Sequence, residues 1–241
     1  MKFFPFICLL CLCGCASLQV PSDYQYKEIK TSAFTLAAWI KQSSKTAPFH
    51  IYIEGDGHAY TKSGFPSDNP TPHNTLMRKM AFKDTALNVA YLARPCQFVK
   101  DEICTQKDWT TQRFSPRAVD SAAQAVKQIA GQRPVVFYGY SGGALTSGLI
   151  IENYPQIKVQ KWITYAGLLN HKSWTEYQKL APLSGSMDLE KLPDVPQIHY
   201  AGEKDKVIPL KLSKLWTDNK NLLILPKATH KGPFPQENSY Q

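Results

Sequence analysis

The string Val135-Val136-Phe137-Tyr138-Gly139-Tyr140-Ser141-Gly142-Gly143-Ala144-Leu145 joins a hydroxyl to the surroundings that would make it reactive. A β-branched and aromatic run leads in, glycines stand on both sides of the serine, and a helix-forming stretch follows. This is the pattern of a sharp strand-to-helix turn, a nucleophile elbow. Such a turn holds Ser141 in strained backbone geometry, while Gly139 and Gly143 give room where strand and helix pack closely. A serine hydroxyl is a weak nucleophile and needs an adjacent base. Of His50, His58, His73, His171, His199 and His230, only the last three follow the serine, and only His230 stands in a loop after the last expected strand. His199 falls within an expected strand and reads as a packed, hydrogen-bonded side chain. The imidazole in turn needs a carboxylate to fix its tautomer and stabilise its charged form. Asp205, in Gly202-Glu203-Lys204-Asp205-Lys206-Val207-Ile208-Pro209, is the first choice, with Glu203 and Asp194 as competitors. The chemistry these residues would support is acyl transfer through a covalent serine intermediate.

Elements that would position them follow from periodicity. Short β-branched and aromatic runs recur at Phe34–Ile40, Phe49–Ile53, Leu87–Leu92, Pro134–Tyr138, Lys161–Tyr165, Gln197–Ala201 and Asn221–Leu225. Several are apolar at consecutive positions, as in strands of a parallel sheet covered on both faces. Between Ser115 and Gly131 a helix is expected, with Ser115 as N-cap, Pro116 at the first position and Val119, Ala122, Ala123, Val126, Ile129 and Ala130 on one face. Further helices are expected over Gly142–Asn153 and Leu210–Asn219. This alternation predicts an α/β fold with a mostly parallel sheet of seven to eight strands flanked by helices. The 241 residues, 43% hydrophobic, suffice for one large core. The long irregular stretch His58–Asn74 is of a kind that tends to be functional or mobile.

With these residues in place, the chain resembles the α/β-hydrolase superfamily of serine hydrolases over its whole mature length. The order serine, acid, histidine matches, and the Asp205 loop resembles the family's G-x-x-D-x-x-V/I-P. It is most similar to a group of bacterial exported lipoprotein α/β-hydrolases, on the stretches Tyr52 to Gly57, Pro70-Thr71-Pro72, Ala93 to Gln97, Trp109-Thr110 with Arg113-Phe114-Ser115, and the elbow. The resemblance implies the fold, the triad and a disulfide, but no substrate. It also implies an oxyanion hole made by the backbone N–H of Gly142 and by one from the loop after Phe49–Ile53. The Asp56 N–H is the match there, although Glu54-Gly55 replaces the family's His-Gly pair. A Gly-rich loop that merely turns the chain is the alternative. Residues 167–196 stand where relatives carry a cap; Trp174, Tyr177, Leu180, Leu183 and Met187 either form a small lid or pack as connecting core. A small lid would suit short-chain esters.

Four of the six cysteines (Cys8, Cys11, Cys13, Cys15) crowd into the first fifteen residues, in or just after the apolar run Phe3–Leu12 that follows Lys2. The run is too short to span a bilayer and reads as a signal peptide, residues 1–14. Its end, Leu12-Cys13-Gly14-Cys15, resembles the bacterial lipobox, which makes Cys15 the lipidated first residue of a single mature domain, 15–241. Without an Asp at Ala16 or Ser17, an outer-membrane location is expected. Removal of the leader leaves Cys96 and Cys104, which export to an oxidising compartment would join as a disulfide. No cofactor or metal is expected, since two cysteines and no paired histidines do not make a metal site. The net charge of +9 is scattered, without the dense basic run or finger spacing of a nucleic-acid binder. Partners expected are a small ester or acyl substrate and the membrane under the lipid. A peptidase or amidase on the same scaffold, or a non-catalytic envelope-binding lipoprotein, is the competing reading.

Overall fold

The computed structural model describes residues 18–236. Cys15 and the leader lie outside the described residues. Eight strands form one sheet: β1 (Gln25–Lys30), β2 (Thr35–Gln42), β3 (Phe49–Ile53), β4 (Asn88–Leu92), β5 (Val135–Tyr140), β6 (Val159–Tyr165), β7 (Gln197–Gly202) and β8 (Leu222–Leu225). Their spatial order is β1-β2-β4-β3-β5-β6-β7-β8. The first two strands pair antiparallel, and β3 to β8 run parallel. Every residue of β3, β4 and β5 is buried, as their consecutive apolar positions require of strands covered on both faces.

Among the described residues six helices join them: α1 (Leu76–Lys83), α2 (Gln106–Trp109), α3 (Pro116–Ala130), α4 (Gly142–Asn153), α5 (His171–Gln178) and α6 (Leu210–Trp216). Because side chains alternate across a strand, Ile51, Phe137 and Trp162 face the buried stripes of α3 and α4. Tyr52, Tyr91, Tyr138 and Tyr165 face the other way, toward Met77 and Met80 of α1. Tyr52 and Tyr138 are cross-strand neighbours whose rings stack 4.2 Å apart.

Some local expectations are corrected. Ser115 takes the N-cap place of α3 with extended backbone, but its hydroxyl makes no capping bond and is buried without a partner. The Ser115 carbonyl instead serves the N–H groups of Ala118 and Val119, at 2.9 and 3.0 Å. Helix α6 stops at Trp216 rather than Asn219, because Thr217 is extended. The strand β1 was not expected from the sequence; its run Gln25–Lys30 is largely exposed and is held by backbone pairing to β2.

The segment 167–196 contains α5 and irregular chain. Leu183 and Leu189 lie in the core, Trp174, Met187 and Leu192 pack against it, and Tyr177 and Leu180 are exposed. Among the described residues no helix is long and apolar enough to cross a membrane.

Candidate active site

The carboxyl ends of β5, β7 and β8 meet at one place. Between β5 and α4, Ser141 sits at φ 50° and ψ −121°, a conformation that L-residues avoid. It is over-determined: the Ser141 N–H donates to Tyr165 (3.1 Å) and its carbonyl accepts from Leu168 (2.9 Å). Close packing is the reason for the flanking glycines. A Cβ on Gly139 would lie 2.6 Å from the Ala144 Cα, and one on Gly143 would lie 2.3 Å from the Ile53 carbonyl oxygen.

Into this site β8 delivers His230, on a tight turn closed by Thr229 and Gly232, each of which donates to the other's carbonyl. The His230 Nε2 is 3.1 Å from Ser141 Oγ, and its Nδ1 is 2.9 Å from Asp205 Oδ2. Asp205 follows β7, and its side chain is wholly buried. Its other oxygen accepts the N–H groups of Val207 and Ile208, at 2.8 and 2.9 Å, which fix the carboxylate in place. With Nδ1 facing a carboxylate, the imidazole proton belongs there, leaving Nε2 free to accept from the serine hydroxyl. The Tyr140 hydroxyl donates to the His230 carbonyl at 3.0 Å. Burial pushes that phenol far above its usual range, so it stays a donor. Beyond the turn, Phe234 packs its ring 5.5 Å from Tyr165, and the Gln236 amide donates to the Tyr52 hydroxyl (3.3 Å) and the Met80 carbonyl (3.2 Å).

The competing residues stand elsewhere. His199 is buried in β7 between Thr164 and Gln197, and burial pushes it down to about 4. His50 pairs with Asp84 at 2.6 Å. Among the described residues the carboxylate paired with His230 is that of Asp205, not of Glu203 or Asp194.

Of the two expected oxyanion donors, the Gly142 N–H belongs to the first residue of α4, where a helix amide has no partner in its own helix. In the loop after β3, the Gly55 N–H is committed to the Glu54 carboxylate at 2.8 Å, so the Asp56 N–H is the next amide in line. The resemblance touches Ala93 to Gln97 and Arg113 without implying a role for their side chains, and the structure gathers them around this loop. The Asp56 carboxylate is gripped by Arg94 (2.6 Å) and Arg113 (3.1 Å). The Gln97 amide donates to the Gly55 carbonyl (2.9 Å), and the Tyr91 hydroxyl donates to Glu54 (2.8 Å). Cys96, beside Gln97, is joined to Cys104 by a disulfide. Among the described residues no three His, Cys, Asp or Glu side chains gather to hold a metal ion.

No protein-family model matches the chain. No curated protein matches it either. Its structure is similar to solved α/β hydrolases. A lidless α/β serine hydrolase from Xanthomonas campestris has TM-score 0.53 and 14% identity, over 88% of this chain and 87% of that one. A putative lipase from Acinetobacter baumannii has TM-score 0.58 and 14% identity, over 87% and 85%. Mouse alpha/beta hydrolase domain-containing protein 10 has TM-score 0.59 and 12% identity, over 86% and 91%. At these identities the likeness establishes the fold: an α/β-hydrolase architecture with an eight-stranded, mostly parallel sheet flanked by helices.

Proposed function

We propose that the protein is a serine hydrolase that cleaves carboxylic esters through an acyl-serine intermediate at Ser141. The observation that carries this reading is the relay of contacts from Ser141 Oγ to His230 Nε2 (3.1 Å) and from His230 Nδ1 to Asp205 (2.9 Å). In the proposed reaction Ser141 Oγ attacks the acyl carbon while His230 takes its proton, and Asp205 stabilises the imidazolium. The carbonyl oxygen becomes an oxyanion facing the amides of Gly142 and Asp56. Collapse of this intermediate breaks the bond to the alcohol, which leaves with the proton from His230. Water then repeats the sequence on the acyl-serine, releasing the acid and restoring the hydroxyl.

The protein is further proposed to be exported and held by lipid on Cys15, in the bacterial outer membrane, where short-chain esters or accessible acyl groups would be its substrates. The support here is the sequence of the leader and of residues 167–196.

A fluorophosphonate probe tests the reading. The full chain should be labelled on Ser141 and should hydrolyse nitrophenyl esters, with both lost in Ser141→Ala, a fall in kcat on the order of 10^6-fold for a nucleophile of this kind. Folded wild-type protein that takes no label and turns over no ester would overturn it. Aminoacyl amides run beside the esters separate an esterase from a peptidase or amidase.

A further inference from the structure

The ion pair beside the nucleophile is built more elaborately than stability demands. Arg94 is 5% exposed, and its guanidinium lies 4.6 Å over the Phe114 ring. Its Nη1 holds Asp56 Oδ1, its Nη2 donates to the Arg113 carbonyl, and its backbone N–H donates to the Gln97 side-chain oxygen at 3.1 Å. The pair presses on the residue after the serine. A Cβ added at Gly142 would fall 2.0 Å from Asp56 Oδ1 and 2.6 Å from Arg94 Nη1. This accounts for the third glycine of the elbow, which the strand-helix packing of Gly139 and Gly143 does not require.

Buried ion pairs add little net stability, because desolvation offsets their attraction. A lone Asp56 carboxylate against Gly142 would also repel the negative charge that grows on the substrate oxygen. Two arginines on one carboxylate reverse that sign. Arg113, 4% exposed, is the second cation, and its Nε is buried without a partner.

We propose that Arg94 is a positioning residue for acyl transfer at Ser141: its fork, one arm on Asp56 and one on the Arg113 carbonyl, holds Asp56 against Gly142 and sets the spacing of the two amides that receive the oxyanion. This rests on the hydrolase reading above. The planar fork is what a lysine cannot reproduce, since one ammonium cannot hold Asp56 and the Arg113 carbonyl in fixed relative geometry. The part played by Arg94 is therefore felt in the transition state and hardly at all in ground-state binding.

The test uses the full chain, with nitrophenyl acetate for turnover and phenylboronic acid for binding, because a boronate on Ser141 Oγ carries the tetrahedral negative charge. Arg94→Gln should lower kcat about 100-fold, the loss typical of a disturbed oxyanion donor, with KM within about threefold, and should weaken the boronate in proportion. Arg94→Lys should fall between wild type and Arg94→Gln. Folded Arg94→Gln with nearly full kcat, a loss confined to KM, or a boronate affinity unmoved while kcat falls would each overturn the inference. Should Arg94→Gln not fold, Asp56→Asn releases the same grip with near-identical shape and is read by the same criteria. Wild-type protein that neither turns over ester nor binds boronate would sink the hydrolase reading itself. Wild type and variant performing equally well would sink this inference alone.

Discussion

Burial pushes the Glu54 carboxyl up to about 7, against the opposing hydrogen bonds from Gly55 and Tyr91 and the charges of Arg78 and Arg94. In the unfolded chain it titrates near 4.5. Below that value both states are protonated and the site costs nothing. As pH rises from 4.5 to about 7 only the unfolded chain ionises, so the folded state loses about 3 kcal/mol, after which the loss levels off. His199, pushed down to about 4, works in the opposite direction, adding stability as pH rises toward 6.5. Glu54→Gln should therefore gain Tm relative to wild type as pH rises from 4.5 to about 7, and because His199 acts equally in both proteins, the difference between the two curves isolates Glu54. Parallel curves would show that the carboxyl ionises as freely folded as unfolded. At this scale the meeting of Ser141, His230 and Asp205 was legible because each carries a local signal: an elbow, a loop after a last strand, an acid loop after the preceding strand. Arg94, Arg113 and Gln97 fall in stretches that carry the family resemblance, but nothing local tells what their side chains do. Their contacts exist only once three separate loops meet, and the extra glycine at 142 marks where they press.

The loop between β4 and α2 is the element on which the site leans. It carries Arg94 and Gln97, and the Cys96–Cys104 bridge closes it over a sequence separation of 8. A ring of that size should stabilise the fold by about 2.5 kcal/mol through the unfolded chain. Cys96→Ser with Cys104→Ser is thus expected to lower Tm by roughly 5–10 °C for a domain of this size. Because Gln97 adjoins the bridge and holds the Gly55 carbonyl, kcat on nitrophenyl acetate should also fall about tenfold with KM little changed. Full turnover in the folded double variant would separate the bridge from the site. Elements with strong apolar runs, β3 to β7, α3 and α4, could be read from the sequence within a few residues. The strand β1 could not, since its pairing is backbone-borne and only Ile29 of it is buried. The short helices α1, α2 and α5 were hidden too, because their mixed, partly exposed faces lack a sustained period.

Across the whole molecule, the sheet order brings Ser141 to the centre and Asp205 and His230 to successive strand ends, so the carboxyl ends of the strands gather all three. If lipid on Cys15 holds the protein, expressed full-length chain should sediment with bacterial membranes, and Cys15→Ser should move it to the soluble fraction with esterase activity intact. Soluble wild type would remove the anchor from the proposal. The fold class was readable because alternating buried strands and amphipathic helices leave few architectures. The join between distant segments was not, and the stretch past His230 shows this best. Phe234 and Gln236 cross back to Tyr165, Tyr52 and Met80, so the turn bearing the imidazole is moored on both sides. A variant ended at Pro233 would lose one mooring while keeping every strand of the sheet. Such a shortened protein should melt within a few degrees of the intact one yet turn over nitrophenyl acetate at least tenfold more slowly, and equal turnover would show that the turn holds its imidazole without this second anchorage.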